Sequence, residues 1–362
     1  MPVSLSLAMI VKNEAQVLGR ILSQVKHLCD ELVIVDTGST DGTQALAESF
    51  GARVFCFEWI DDFAAARNHA FSHCSSDWIL WLDADDLINE SHQQKLLDLK
   101  HSGLNAEIDA VICSYQIAFD GQGECLISMP RERLLRRAAG GSWQFPIHEA
   151  FVLPDEARVL NRLDIAVEHH KPAQYVERSS DRNLKMLMRL IEQGDQSPRN
   201  WYYYGKELRQ HNRPEEAIEA FQQHLRLNQT EPISQYQALH LAMLCCMELH
   251  RYPEALSLGY QAIQINGSRA EALLNLGIIH YRHQDFNIAI PLLNAATTCQ
   301  KPDAGLIVEE DYSWKPYHYL SLCYEGLGQP ANAIEAALKA YPDIPDKQVI
   351  RENIICFAGK LK

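Results

Sequence analysis

The sequence predicts an α/β domain built on a mostly parallel sheet, followed by an all-α domain of stacked helical hairpins. Three observations carry this. Short apolar runs alternate with amphipathic segments over the first 170 residues. Acidic residues crowd the ends of two of those runs, at Asp36 and at Asp83, Asp85 and Asp86. Small residues then recur at long intervals through the second half.

The elements follow in order. Leu5–Val11 reads as a strand, and Val17, Leu18, Ile21, Leu22 and Val25 repeat at helical spacing. Leu32–Val35 is a second strand, followed by the turn-rich stretch DTGSTDGT and a short helix, Gln44–Phe50, that stops at Gly51. Arg53–Phe57 is a third strand, DDFAAARNHAFSHC a helix and Trp78–Leu82 a fourth strand. Alternation of this kind implies a parallel sheet with helices on both faces, and such sheets bind ligands beyond the carboxyl ends of their strands. Both acidic clusters fall at those ends.

In the second half, Ala217, Ala255, Ala289 and Ala333 stand 38, 34 and 44 residues apart, and Gly205, Gly277 and Ser321 each lie twelve positions before one of them. Thirty-four residues is the tetratricopeptide period, with inserts in the other two intervals. We expect tetratricopeptide-like hairpins over 176–362, a first domain over 1–175, and a loop at GLIVEEDYSW between the last two repeats.

Composition narrows the function. With 33 Lys and Arg against 47 Asp and Glu, the formal net charge is −14, which argues against nucleic-acid binding by bulk electrostatics. No apolar run is long enough for a transmembrane helix, and the N-terminus leads directly into a core strand without a charged signal region. The ten cysteines show no CxxC spacing. A cytoplasmic protein is expected.

The chemistry starts at DWILWLDADD. Residues two apart on a strand point the same way, so Asp83 and Asp85 bring two carboxylates close together. They repel unless a cation lies between them, and oxygen ligands suit Mg²⁺ or Mn²⁺. A solvated acidic turn capping a helix near Asn89 is the alternative. Asp36 is placed to accept a base-edge N–H or a ribose hydroxyl. Lys12, Asn13 and Glu14 either frame a nucleotide or cap a helix. Arg67 is positioned to reach a phosphate or to pair with Asp36 or Asp83.

The stretches LSLAMIVKNEAQVLGRIL, ELVIVDTGSTDGT, FAAARNHAF and WILWLDADD, followed by RERLLRR, SWQFPIHE and VEHH, resemble the inverting family 2 glycosyltransferases of GT-A fold. The whole order resembles the bacterial branch that joins such a domain to tetratricopeptide repeats, some members of which glycosylate ribosomal peptides. The resemblance implies a metal-dependent transferase of hexosyl type with Mn²⁺ or Mg²⁺ and a nucleoside-diphosphate sugar, UDP-sugar favoured. It implies that Val11, Asn13, Glu14, Asp36, Arg67, Asp83, Ala84, Arg133 and Trp143 contact the donor. Asp85 and His169 would hold the metal, and the HE pair would be catalytic, with Glu149 as the base and His148 orienting it or touching the diphosphate. Arg136 belongs to the same Arg-rich element as Arg133, and Trp143 is either a pocket floor or a core residue. Phe145 stands where many relatives have Gly, and Lys171-Pro172 replaces a Gly-aromatic pair. The expected partner of the repeats is a peptide or protein acceptor, or a second copy in a homodimer. The rival readings are a transferase acting on a cell-surface glycan or lipid, a phosphatase using LDADDL, and a non-enzymatic repeat scaffold.

Overall fold

The computed structural model describes residues 3–170, 173–227 and 231–361, with side chains from 181 onward in the first long helix. Lys171 and Pro172 lie outside the described residues. The chain divides into two units, Met1–Met186 and Leu187–Lys362. The boundary expected between residues 175 and 176 falls in the same long helix, Ala173–Glu192.

The first unit opens as its periodicity predicts: β1 Leu5–Val11, α1 Leu18–Val25, β2 Glu31–Asp36, α2 Thr43–Ser49, β3 Arg53–Cys56, α3 Phe63–Ser72 and β4 Trp78–Trp81. Strands β3, β2, β1 and β4 lie side by side and parallel. Leu18, Ile21, Leu22 and Val25 of α1 are completely buried against this half of the sheet.

Beyond β4 the sheet becomes mixed. β5 is Asp86–Leu87, followed by α4 Glu90–Asp98, β6 Ala110–Phe119, β7 Cys125–Arg136, β8 Ser142–Gln144, β9 Ala150–Val152 and β10 Val159–His169. The strand order continues β4-β7-β6-β10-β5. β7 is antiparallel to β4 and β6, β10 is parallel to β6, and β5 is antiparallel to β10. The β6–β7 register slips at Arg133, so Leu134 faces Val111 and Glu132 faces Ile112. Strands β8 and β9 form a separate hairpin. Gly141 enters it with φ +101°, where a Cβ would lie 2.6 Å from the Val152 carbonyl oxygen.

The second unit is all helix apart from its connections. After α5 Ala173–Glu192 come the pairs α6 Pro198–Gln210 with α7 Pro214–Arg226, α8 Pro232–Glu248 with α9 Tyr252–Ile265, α10 Ala270–Arg282 with α11 Phe286–Thr298, and α12 Trp314–Gly326 with α13 Pro330–Ala340, then α14 Lys347–Gly359. Proline in the first turn opens α6, α7, α8, α9 and α13, where its missing N–H costs nothing. Ala217, Ala255, Ala289 and Ala333 are all fully buried. The small partners are small because nothing larger fits: a Cβ on Gly205 would meet the Phe221 ring at 2.7 Å, and one on Gly277 would meet Leu293 at 2.6 Å. Each hairpin turns through a left-handed residue, Asn212, His250, Gln284 and Gly328, with φ between +55° and +68°. The stretch expected as a loop contains a 3₁₀ turn, Glu309–Tyr312, and Trp314 already belongs to α12.

Among the described residues, no helix is long and apolar enough to cross a membrane.

Candidate active site

The carboxyl ends of β1 and β2 are tied together by their loops. Val11 accepts from the Thr37 N–H at 2.9 Å. Asn13, held at φ +57°, donates its backbone N–H to Ser39 Oγ at 2.8 Å and accepts the Thr40 N–H at its side chain at 2.8 Å. The Glu14 N–H donates to Thr43 Oγ1 at 2.8 Å. Asp36 is buried, and its Oδ1 accepts from the Gly38 and Ser39 N–H groups and from Gln44 Nε2. Burial works to raise this carboxyl, but the donors from Ser39, Gln44 and Gly38 outweigh it and lower it. Asp36 Oδ2 is buried with no donor.

Helix α3, capped by Asp62, supplies Arg67. Its side chain is nearly enclosed: Nε donates to Glu149 Oε1 and Nη2 to Asp83 Oδ1, each at 2.7 Å. The guanidinium lies 4.6 Å from the Trp81 ring and 5.0 Å from that of Trp143. Burial works to lower its pKa, but the Asp83 and Glu149 charges outweigh that and raise it. In return, burial of Asp83 is overcome by Arg67, Arg133 and His169, which hold its carboxyl well below the usual range.

Trp143 does not floor a pocket. It is 2% exposed and packs edge-on against Trp81, Phe71 and Phe151, so it supports Arg67 from within the core. Asn68 pins it there, donating to the Trp143 carbonyl at 2.8 Å and accepting its N–H at 2.9 Å. Arg133 is likewise completely buried. Its guanidinium lies 4.0 Å from both the Trp81 and Tyr115 rings and pairs with Asp86 at 3.3 Å. Arg136 is at the opposite end of β4, beside Trp78, bound to Asp109.

The acidic turn divides its labour. Asp86 is wholly buried: Oδ2 accepts the Asp83 N–H, and Oδ1 accepts the Tyr115 hydroxyl at 3.1 Å. The β5–β10 register sets His169 directly opposite, with Nδ1 3.1 Å from Asp86 Oδ1 and 3.4 Å from Asp85 Oδ1. Burial works to lower the imidazole pKa, but the Asp86 hydrogen bond and the charges of Asp85, Asp86 and Asp83 raise it. Asp83, Asp86 and His169 offer ligand atoms within 4.8 Å of one another, so Asp86 joins the tight group in which Asp85 was expected. Ala84 is buried in the turn between them. Asp85 accepts the His170 N–H at its carbonyl, which ties the turn to the end of β10.

His148 and Glu149 end the loop that leads into β9. Phe145 and His148 have φ of +71° and +50°. The position that is glycine in many relatives thus keeps a glycine-like backbone with Phe in it. One residue went unnoticed in the sequence. Arg131 donates from Nη2 to the Glu149 carbonyl at 3.2 Å and lies 5.0 Å from the Trp81 ring, with Nε buried and without an acceptor. In the string RERLLRR it looks like one charge of a solvated strand face.

The carboxyl ends of the strands therefore gather a carboxylate held by Arg67, an acidic group with an imidazole that could hold a cation, and a buried carboxyl oxygen without a donor. Residues 6–156 match the model of glycosyl transferase family 2. This domain is a family 2 glycosyltransferase domain. It carries relatives with it: an uncharacterized glycosyltransferase of Rickettsia felis is 38% identical over 92 residues, covering 25% of this chain and 32% of that protein. The prophage-derived glycosyltransferase SunS of Bacillus subtilis is 25% identical over 222 residues, 60% of this chain and 52% of that one. A TPR repeat-containing protein of Synechococcus elongatus is 52% identical over 81 residues, 22% of this chain and 20% of that one. The chain spans about half or less of the length of each of these relatives. The family 2 domain is followed here by helical hairpins of tetratricopeptide type.

Proposed function

We propose that this glycosyltransferase moves a sugar, with inversion, from a nucleoside-diphosphate sugar, UDP-sugar favoured, to a peptide or protein acceptor recruited by the repeats. The observation that carries the reading is the Glu149–Arg67–Asp83 linkage beside the acidic turn. It sets a carboxylate near the residues that would hold a diphosphate and fixes its direction.

The donor's nucleoside fits the edge of β1 and β2. There Asp36, level with Val11 and near the Asn13–Glu14 turn, has a buried Oδ2 without a donor that a base N–H or ribose hydroxyl would satisfy. Asp83, Asp86 and His169 stand close together, and Asp85 Oδ1 lies 3.4 Å from the same imidazole, so the turn offers oxygen and nitrogen atoms of the kind that suit Mn²⁺ or Mg²⁺. Asp85 and His169 are the proposed ligands, with Asp83 and Ala84 facing the donor, and a bound cation would supply charge stabilisation to the leaving diphosphate. Asp86 then acts through His169, fixing its ring through Nδ1 and leaving Nε2 to ligate. Glu149 takes the proton from the acceptor hydroxyl or thiol as that atom bonds to the anomeric carbon and the bond to the diphosphate oxygen breaks. His148 shapes the loop that presents Glu149.

In the repeats, Tyr202 is buried, whereas Trp201, Tyr203 and Tyr204 keep part of their surface for a peptide. The SunS likeness, over more than half of this chain, supports a transferase. The test is release of nucleoside diphosphate from a panel of UDP-, GDP- and dTDP-sugars with Mn²⁺, with and without acceptor peptides. We expect turnover that needs Mn²⁺ and disappears in Asp85→Ala with the fold retained. No binding of any donor by calorimetry would overturn the reading, and unchanged turnover in Asp85→Ala would overturn the metal role.

A further inference from the structure

Three arginines surround the Trp81 ring, and only two are matched by carboxylates. Arg67 is paired with Asp83 and Glu149, and Arg133 with Asp86. Arg131, among the described residues, gives its single side-chain hydrogen bond to the neutral carbonyl of Glu149. Its Nε–H is buried and has no acceptor. An unsatisfied donor on a cation is costly to leave in that state, and an anionic ligand is the group that relieves it best.

The sheet fixes where that anion would lie. β7 runs antiparallel to β4, with Trp78 opposite Arg136 and Leu80 opposite Leu134. Moving down β7 from Arg136 toward Arg131 therefore moves toward and past the carboxyl end of β4. The Trp81 indole N–H donates to the Glu132 carbonyl, which puts Arg131 beyond the last residue of β4. Arg131 and Arg133 lie on the same Trp81-facing side, with Arg131 roughly 6–7 Å farther out along the strand. The inner arginine pairs with Asp86 of the acidic turn, although its Nε and Nη2 are also buried without acceptors, and the outer one lies beyond the last residue of β4, next to the segment that bears Glu149.

Resting on the proposed transfer reaction, we infer that Arg131 binds the diphosphate of the donor and stabilises it as it departs, through its unsatisfied Nε–H. The Arg131 guanidinium lies 5.0 Å from the centre of the Trp81 indole, and a planar guanidinium suits two-point contact with phosphate oxygens. Its bond to the Glu149 carbonyl also couples the leaving-group contact to the segment bearing the base.

The experiment compares UDP with uridine, and GDP, ADP, CDP and dTDP with their nucleosides, by calorimetry in the presence of Mn²⁺. Wild type, Arg131→Gln and Arg131→Lys are measured as full chains, with circular dichroism to confirm the fold. We expect Arg131→Gln to weaken the diphosphate at least tenfold and leave the nucleoside unchanged, with Arg131→Lys intermediate. In turnover, kcat should fall about 10²-fold, the scale of losing one donor to a developing oxyanion. Added guanidinium should restore part of it in Arg131→Ala. Equal weakening of nucleoside and diphosphate, or no weakening in a folded Arg131→Gln, would overturn the inference alone. Failure of the wild type to bind any nucleoside diphosphate would remove the transfer reading and this inference together.

Discussion

Arg67 Nε donates to Glu149 Oε1 at 2.7 Å, joining residues 82 apart in sequence inside the first unit. The second arm of the same guanidinium holds Asp83. The base candidate and the acidic turn are therefore positioned by a single rigid group. That group packs against both Trp81 and Trp143, whose rings meet edge-on 4.8 Å apart.

Glu149→Gln retains an oxygen for Arg67 and loses the ability to take a proton. We expect sugar transfer to fall by about 10²–10⁴ while donor affinity stays within a few-fold. Single-turnover transfer and donor calorimetry on the same preparation check this. A large loss of donor affinity would place Glu149 in binding instead.

Arg67→Met removes the cation and leaves two largely enclosed carboxylates facing each other. Breaking such a buried pair costs about 3–5 kcal/mol, and urea denaturation should show it. The sign of the pH dependence follows from Asp83, whose carboxyl Arg67 helps to lower. Wild-type stability from this pair is present above the ordinary aspartate range and is lost as pH falls below it, so the wild-type advantage over Arg67→Met should shrink toward pH 3.

Asp85 and Asp86 are neighbours with opposite expected behaviour. Asp86 and Arg133 are both completely buried, so Asp86→Asn should cost about 3 kcal/mol in the denaturation free energy. Asp85 is buried as well but keeps 8% of its surface and faces His169 rather than an arginine, so Asp85→Asn should cost less than Asp86→Asn and should abolish Mn²⁺-dependent turnover. Equal destabilisation by the two would contradict this division.

Asp311 gives the repeat unit its own pH response. Burial raises its carboxyl to about 6, with Lys315 only partly opposing. Between pH 4 and 6 the folded chain keeps a proton that the unfolded chain has lost, so stability falls as pH rises through that window. The full cost, about 3 kcal/mol by the size of the shift, is present above pH 6. Asp311→Asn should therefore stabilise the chain more at pH 8 than at pH 4, read from urea midpoints. An identical effect at both values would sink the assignment.

The legible parts of this chain were those written in local spacing. Strand β1, helix α1 and the four buried alanines follow from periodicity because each residue's fate depends on neighbours a few positions away. The placement of Asp36 at the end of β2 and of Asp83 just past β4 was legible because each follows directly on an apolar run. The burial of Arg133 and Trp143 was not, since it depends on a register slip in β7 and on Asn68 docking a distant hairpin. The pairing of Asp86 with His169 needs β5 and β10 to meet across 83 residues. The positive φ at Phe145 runs against its residue type, and no local pattern announces it.

The hairpin turns of the second unit carry one more consequence. Asn212, His250, Gln284 and Gly328 each sit five positions ahead of a buried alanine, yet just one of the four is the residue that adopts this backbone without penalty. The bends at His250 and Gln284 are thus locally disfavoured by about 1–2 kcal/mol each, that at Asn212 by less, and they persist because adjoining helices clamp them. An isolated repeat would not be self-sufficient. Opening one should loosen its neighbours, so amide exchange across this half should proceed in blocks wider than a single pair of helices.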